Sequence, residues 1–327
     1  MPPSYIDPEL LSRLTAIGIK ARQPMEGSIS GLHRSPLHGL SPEFADYRSY
    51  TPGDDLKNID WKVFGRSDRF YIKRYEEESN LRAFFVVDAS VSMTYGQPRS
   101  KFEIASTIAC GMAGALIKQR DSVGLATIST KVSQELPQSS ASSQLLRFAD
   151  LLEKTKCAGD TDLGQVVKML ADKYPRRGMV VILSDLLTPL DSLYDALGKL
   201  QHAGHEILIL HVLHRDELEL PFKDSVIFRD IEGSEEVFAE PWAFRDAYQA
   251  AMQTFVGEVR SRCQYSGIDY LQILTDENLG SRLSHFLHAR QLSGPTRHRG
   301  RIAGMGRAEE SSPNSESSTH TPEMPKS

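Results

Sequence analysis

Residues 81–92 read LRAFFVVDASVS, an apolar run that ends in an acid and continues into two alternating serines. A second run, GMVVILSD at residues 178–185, has the same form. Short, wholly apolar runs are typical of strands that are buried on both faces, and such strands belong to parallel sheets with helices on both sides. These two segments therefore predict the centre of an α/β sheet.

Segments of strand and helix type alternate outward from the first run. We predict strands at 82–88, 122–128, 178–185 and 206–212, separated by helices at 104–117, 143–152, 163–170 and 192–201. This alternation predicts a doubly wound, mostly parallel sheet. Further downstream we expect a hairpin at 225–238, a helix at 241–262, a strand at 268–274 and a helix at 279–290.

The region before residue 81 has a different composition. A helix is expected at 8–22, capped by Asp7 with Pro8 as its first residue, then loops at 23–53 and a strand at 69–75. We divide the chain into an N-terminal block (1–80), the α/β domain (81–215), a C-terminal α/β extension packed on it (216–291) and a disordered tail (292–327). The tail contains no aromatic residue and is rich in Ser, Pro, Gly and charge.

Composition restricts the classes of function. The chain has 327 residues, 40% of them hydrophobic, with a net charge of −5 and interspersed acids and bases, so we expect no nucleic-acid partner. Three well-separated cysteines without a CxxC pair are typical of reduced thiols in the cytoplasm. No segment approaches the roughly 18 apolar residues of a membrane span, and a cytoplasmic location is the expectation.

The strand ends carry a set of oxygen-bearing side chains. In a doubly wound sheet, ligands bind beyond the carboxyl ends of the strands, where Asp88 and Asp185 are expected. Ser90 and Ser92 alternate in the loop after Asp88, and Thr161 lies in the loop GDTDL at 159–163. Hard oxygen ligands suit Mg²⁺ or Mn²⁺ rather than zinc. Asp162 is expected to cap the helix that begins near residue 163.

The order DxSxS, then a threonine, then an aspartate after an apolar strand resembles the metal-ion-dependent adhesion site of von Willebrand factor A domains. The upstream block carries the motifs GLHRS (31–35), Gly39, EF (43–44), RSY (48–50), PGDD (52–55), IDW (59–61) and YIK (71–73). In these motifs it resembles the bacterial family called domain of unknown function fifty-eight. That resemblance covers roughly residues 8–290. It implies a MoxR-type AAA+ ATPase as partner and a role in assembling or activating a client protein.

The N-terminal block offers a candidate partner surface, for which two interpretations stay open. Arg48, Lys57, Asp60 and Arg66 could form ion pairs that fix the block against the sheet, or could contact a partner. Asp54 and Asp55 fit a solvated turn, an acid/base pair or the same partner surface. Trp61 is expected to be a core anchor.

Two functions from different classes follow. The first is a metal-dependent protein-interaction module without enzymatic activity, in which Asp88, Ser90, Ser92 and Thr161 bind the ion and Asp185 holds a water. The alternative is a Mg²⁺-dependent phosphohydrolase with Asp88 as nucleophile. Such enzymes need a second acid two residues on, where this chain has Ser90. Serine-hydrolase, P-loop and dinucleotide motifs are missing from the sequence.

Overall fold

The computed structural model describes residues 5–22, 33–35, 44–51, 59–67, 69–75, 77–79, 81–229 and 236–293. The strands in chain order are β1 (His33–Ser35), β2 (Phe44–Ser49), β3 (Tyr71–Tyr75), β4 (Glu77–Ser79), β5 (Arg82–Asp88), β6 (Ser122–Ile128), β7 (Val132–Ser139), β8 (Met179–Ser184), β9 (Glu206–Leu213), β10 (Val226–Arg229), β11 (Glu236–Ala239) and β12 (Asp269–Leu274).

The helices in chain order are α1 (Pro8–Ile17), α2 (Trp61–Ser67), α3 (Lys101–Lys118), α4 (Gln144–Lys154), α5 (Leu163–Lys173), α6 (Leu190–His202), α7 (Arg215–Glu219), α8 (Pro241–Ser266) and α9 (Leu279–Leu292). A 3-10 turn covers Val91–Thr94.

A six-stranded sheet in the order β12-β9-β8-β5-β6-β7 forms the body of the molecule. All neighbours are parallel except β6 and β7. The predicted doubly wound, mostly parallel α/β fold is therefore confirmed. Within the described segments, three antiparallel two-stranded pairs lie outside this sheet: β1 with β4, β2 with β3 and β10 with β11.

Alternate side chains of β5 enter two separate cores. Phe85 and Val87 pack with α1, α3, α4 and α9 on one face, whereas Phe84 and Val86 pack with α5, α6 and α8 on the other. Successive side chains of a strand point to opposite faces of its sheet. The sheet is consequently covered by helices on both sides, which explains why its central strands are wholly apolar.

The parallel register brings two strand ends together at the carboxyl edge. Val87 of β5 is paired with Leu183 of β8, so Asp88 and Ser184 follow as neighbours. Asp185, immediately after β8, lies at the same edge. The register therefore collects polar residues that are about a hundred positions apart in the chain.

Several sequence-based expectations differ from the structure. The first helix ends at Ile17 rather than residue 22, because Gly18 adopts a φ of +71°. Residues 44–49, expected as loop, form β2, and β7 was not predicted. The expectation that Trp61 is a core anchor was wrong, since Trp61 is 60% exposed. The predicted tail lies outside the described residues from 294 onward.

Candidate metal site

Asp88, the last residue of β5, is 1% exposed and accepts hydrogen bonds on both carboxylate oxygens. Its Oδ1 accepts from the Ser90 backbone N–H at 2.9 Å and from the Thr161 hydroxyl at 2.7 Å. Its Oδ2 accepts from the Ser184 hydroxyl at 2.6 Å. These bonds fix the carboxylate on three different segments of the chain.

Ser90 and Ser92 lie at the start of the 3-10 turn. Their hydroxyl oxygens are 2.9 Å apart, and Ser90 is buried while Ser92 is half-buried. The loop itself is held by backbone bonds from Ala89 N–H to the Ile128 carbonyl and from Val91 N–H to the Gly159 carbonyl. Both serines are thus presented by a fixed loop, and Ser92 faces partly toward solvent.

Thr161 comes from the loop between α4 and α5. The loop turns at Gly159, whose φ of +67° is a conformation that favours glycine. Asp162 accepts from the Gln165 backbone N–H at 2.9 Å and caps α5, as predicted. The Thr188 hydroxyl donates to the Thr161 carbonyl at 3.2 Å, which ties this loop to the loop after β8.

Asp185 is near Asp88 but is engaged by a lysine. Its Oδ2 lies 2.7 Å from Nζ of Lys101, and its Oδ1 accepts from the Leu187 N–H at 3.2 Å. Nζ of Lys101 also lies 2.5 Å from Oε1 of Glu217 in α7. Sequence reasoning missed both partners. One signal was available: a lysine in the first turn of a helix opposes the helix dipole, and Lys101 begins α3.

The electrostatics follow from this burial. Burial raises the pKa of Asp88, and the charge of Asp185 raises it further, against the hydrogen bonds from Ser184, Thr161 and Ser90. Burial lowers the pKa of Lys101, but Asp185 and Glu217 outweigh it, and the net pKa is raised. The two carboxyl groups at the sheet edge therefore repel each other, and Lys101 remains an ammonium.

His211 of β9 contacts the backbone of Asp185. Its Nε2 lies 2.8 Å from the Asp185 carbonyl oxygen and its Nδ1 2.8 Å from the Tyr270 hydroxyl. Because a carbonyl oxygen can only accept, Nε2 carries the proton and Nδ1 accepts from tyrosine. Burial lowers the pKa of His211 to about 4, so the ring is neutral and serves as a fixed spacer between β9 and the strand end.

The donor set fits a hard divalent cation. Asp88, Ser90, Ser92 and Thr161 supply only carboxylate and hydroxyl oxygens, which are the ligands that Mg²⁺ and Mn²⁺ prefer. Within the described ranges, no three His, Cys, Asp or Glu side chains are grouped to hold a metal. A metal site at this edge of the sheet would therefore depend on the hydroxyls.

Only two of the five residues predicted to contact a partner lie in the described part of the chain. Arg48 lies in β2, and Arg66 is exposed in α2. Asp54, Asp55 and Lys57 lie outside the described residues. Asp60, the buried residue before α2, accepts from the backbone N–H groups of the first turn at 2.9 and 3.3 Å. Asp60 therefore caps this short helix.

The chain belongs to the family described as protein of unknown function DUF58, whose model matches residues 46–255. The predicted family resemblance is thereby confirmed. The uncharacterized protein Rv1480 of Mycobacterium tuberculosis is 25% identical over 320 residues, which cover 93% of this chain and 96% of that protein.

Two solved structures are similar at low identity. BatB of Bacteroides thetaiotaomicron is 16% identical, with a TM-score of 0.43 over 65% of this chain and 100% of that one. The von Willebrand A domain of SpRpn10 is 12% identical, with a TM-score of 0.36 over 68% and 100% of the two chains. Across the helices that the structure describes, none is long and apolar enough to cross a membrane.

Proposed function

We propose that this protein is a divalent-metal-dependent interaction module that grips a protein partner and catalyses no reaction of its own. The observation that carries the proposal is the convergence of Asp88, Ser90, Ser92 and Thr161 at one edge of the sheet. Two of these residues, Ser92 and Thr161, are only half-buried, so an ion held there would be reachable from solvent.

The chemistry of Mg²⁺ supports this role. Mg²⁺ demands near-octahedral coordination and keeps several waters. One carboxylate and three hydroxyls leave coordination positions to water, and a partner's carboxylate can replace one such water. Asp185 would act on a bound water rather than on the ion, because its partners are an ammonium and a backbone N–H, neither of which can turn its proton away to admit a cation.

The surroundings of the site suit a protein partner. Leu187, two residues after Asp185, is 53% exposed, and Thr94 at the end of the 3-10 turn is exposed as well. The buried centre of a protein interface is more apolar than the rest of the surface, so an exposed leucine beside the candidate site suits a protein partner. We expect the partner to place an acidic side chain on the ion and an apolar one against Leu187.

The phosphohydrolase alternative has less support. A nucleophilic carboxylate must be reachable, and Asp88 is 1% exposed with hydrogen bonds on both oxygens. Phosphate transfer also needs a cation that can reach the substrate. Lys101 is fully buried between two carboxylates, so it cannot serve in this way.

The partner that we propose is a MoxR-type AAA+ ATPase, acting on an unidentified client protein. This part rests on the family resemblance of the N-terminal block. Arg48, Asp54, Asp55, Lys57 and Arg66 are the residues we propose for a second contact. Among them, Arg66 is exposed on α2, which also carries the exposed Trp61, and this supports a contact surface at this helix.

A pull-down experiment tests the proposal. The purified MoxR-type ATPase from the same genome is immobilised, and the full chain is added with Mg²⁺ or with EDTA. We expect binding in Mg²⁺ and at least tenfold less in EDTA. The double variant Ser90→Ala, Ser92→Ala should also lose binding while its circular dichroism stays unchanged.

The matched control is Ser142→Ala, Ser143→Ala. These serines are exposed and follow β7 at the opposite edge of the sheet, where Ser139 pairs with Val123 at the start of β6. The control should bind like the wild type. Equal binding of the wild type in Mg²⁺ and EDTA would contradict the metal-dependent grip.

A further inference from the structure

The inference concerns Lys101, whose side chain is fully buried next to the candidate metal site. The Lys101 side chain is 0% exposed. Its ammonium lies 2.7 Å from Asp185 and 2.5 Å from Glu217. Burying an ammonium is costly unless carboxylates pair with it. Two carboxylates pair with the Lys101 ammonium here.

The first consequence concerns the net charge of the ionisable groups around the candidate metal site. Asp88, Asp185 and Glu217 carry three negative charges as carboxylates, and Lys101 compensates one. Two negative charges remain, which one divalent cation neutralises. If Lys101 were neutral, the same group would keep three negative charges and would attract a cation more strongly.

The second consequence concerns which acid can bind the ion. One carboxylate oxygen of Asp185 accepts from the Lys101 ammonium and the other accepts from the Leu187 N–H. Neither oxygen is therefore free to bind a metal ion directly. Asp88, in contrast, accepts from the Thr161 and Ser184 hydroxyls in addition to the Ser90 backbone N–H. Hydroxyl groups can rotate their protons away and offer lone pairs to a cation, so the ion is left to Asp88 and the hydroxyls.

We infer that Lys101 is a built-in counter-cation that sets the strength of divalent-ion binding, by holding Asp185 and Glu217 away from the ion. This inference rests on the proposed metal site. Lys101 is a positioning residue, since it acts on the ion through Asp185. Its effect is to keep the protein-only affinity for the ion low, so that a partner's carboxylate adds substantially to ion binding.

Calorimetric titration of the full chain with Mn²⁺ alone tests this. Lys101→Met removes the charge but keeps a long side chain, and should bind Mn²⁺ at least tenfold more tightly than the wild type. Lys101→Arg, which keeps the charge, should bind like the wild type. The matched control Lys118→Met removes an exposed lysine at the other end of the same helix and should change nothing.

A second variant covers the case in which Lys101→Met does not fold. Glu217→Gln leaves Lys101 with one carboxylate and makes the site more positive, so Mn²⁺ should bind about threefold more weakly, by the ordinary Coulomb argument. Glu219→Gln, an exposed neighbour in α7, is its control.

The outcomes separate the two proposals. Mn²⁺ binding by the wild type, with no gain in Lys101→Met or no loss in Glu217→Gln, would overturn the role of Lys101 alone. Failure of every variant and of the wild type to bind Mn²⁺ would overturn the metal-dependent function, and this inference with it.

Discussion

At the scale of single residues, one arginine joins α9 to the sheet. Arg290 of α9 is 3% exposed. It contacts Glu206 of β9, Asp269 of β12 at 2.7 Å and the Lys20 carbonyl oxygen. Arg22 adds a bond to the same Asp269 at 2.7 Å. The segment after α1 and the last helix are therefore held at one point on the amino edge of the sheet.

We predict that Arg290→Met lowers the free energy of unfolding by about 3–5 kcal/mol, because it removes a buried guanidinium from the buried Glu206 and one of the two arginines that pair with Asp269. The measurement is urea denaturation followed by circular dichroism. Arg282→Met is the control, since Arg282 is on the same helix with a side chain that is 46% exposed. The control should cost about 0–1 kcal/mol. Equal effects of the two substitutions would contradict this account of α9.

The sequence allowed the prediction of single residues only where the signal was local. Asp88, Ser90 and Ser92 share one loop, and Asp162 caps the helix that it precedes. Lys101 and Asp185 are 84 positions apart, and Arg290 and Glu206 equally far. Such pairs depend on the strand order, which residue spacing does not contain.

At the scale of elements, the buried strands were predictable and the edges were not. The predicted strand at 82–88 and the one at 122–128 agree with β5 and β6, because wholly apolar runs identify central strands. β7 has the sequence VSQELPQS and only one buried residue, Leu136. An edge strand needs apolar residues on one face at most, and it tolerates proline. The amino-acid sequence of β7 therefore resembles that of a loop.

Close packing of α5 against α6 gives an element-scale prediction. A Cβ on Gly164, in the first turn of α5, would lie 2.6 Å from the Ser192 backbone carbonyl carbon. We expect Gly164→Ala to destabilise the protein by about 1–3 kcal/mol, because backbone must move to make room. The same change would disturb Thr161, three residues earlier. Thermal unfolding of the variant provides the measurement.

Gly257→Ala in α8 is the matched control for this prediction. A Cβ there meets nothing within 4 Å, and alanine is favoured over glycine inside a helix by about 1 kcal/mol. This control should therefore unfold at a slightly higher temperature than the wild type. A Gly164→Ala variant as stable as the wild type would show that α5 and α6 are not packed as closely as described.

At the scale of the whole molecule, the sheet spans more of the chain than the α/β segment first identified. β12 follows α8 and pairs in parallel with β9, while α1 packs with α3 and α9 in the same core. The alternation of strands and helices predicted the architecture. The position of β12 could not be predicted, because a strand of this composition fits an edge or a separate unit equally well.

The central claim for the whole molecule is that one divalent cation binds at Asp88, Ser90, Ser92 and Thr161. Its most direct test is thermal unfolding of the full chain with EDTA and with rising Mn²⁺, for the wild type and for Ser90→Ala, Ser92→Ala. We expect Mn²⁺ at 100 times its dissociation constant to stabilise the wild type by about 2.7 kcal/mol. The double variant should show no such gain, and Ser142→Ala, Ser143→Ala should behave like the wild type. A wild-type melting temperature that is the same in EDTA and in saturating Mn²⁺ would contradict the claim.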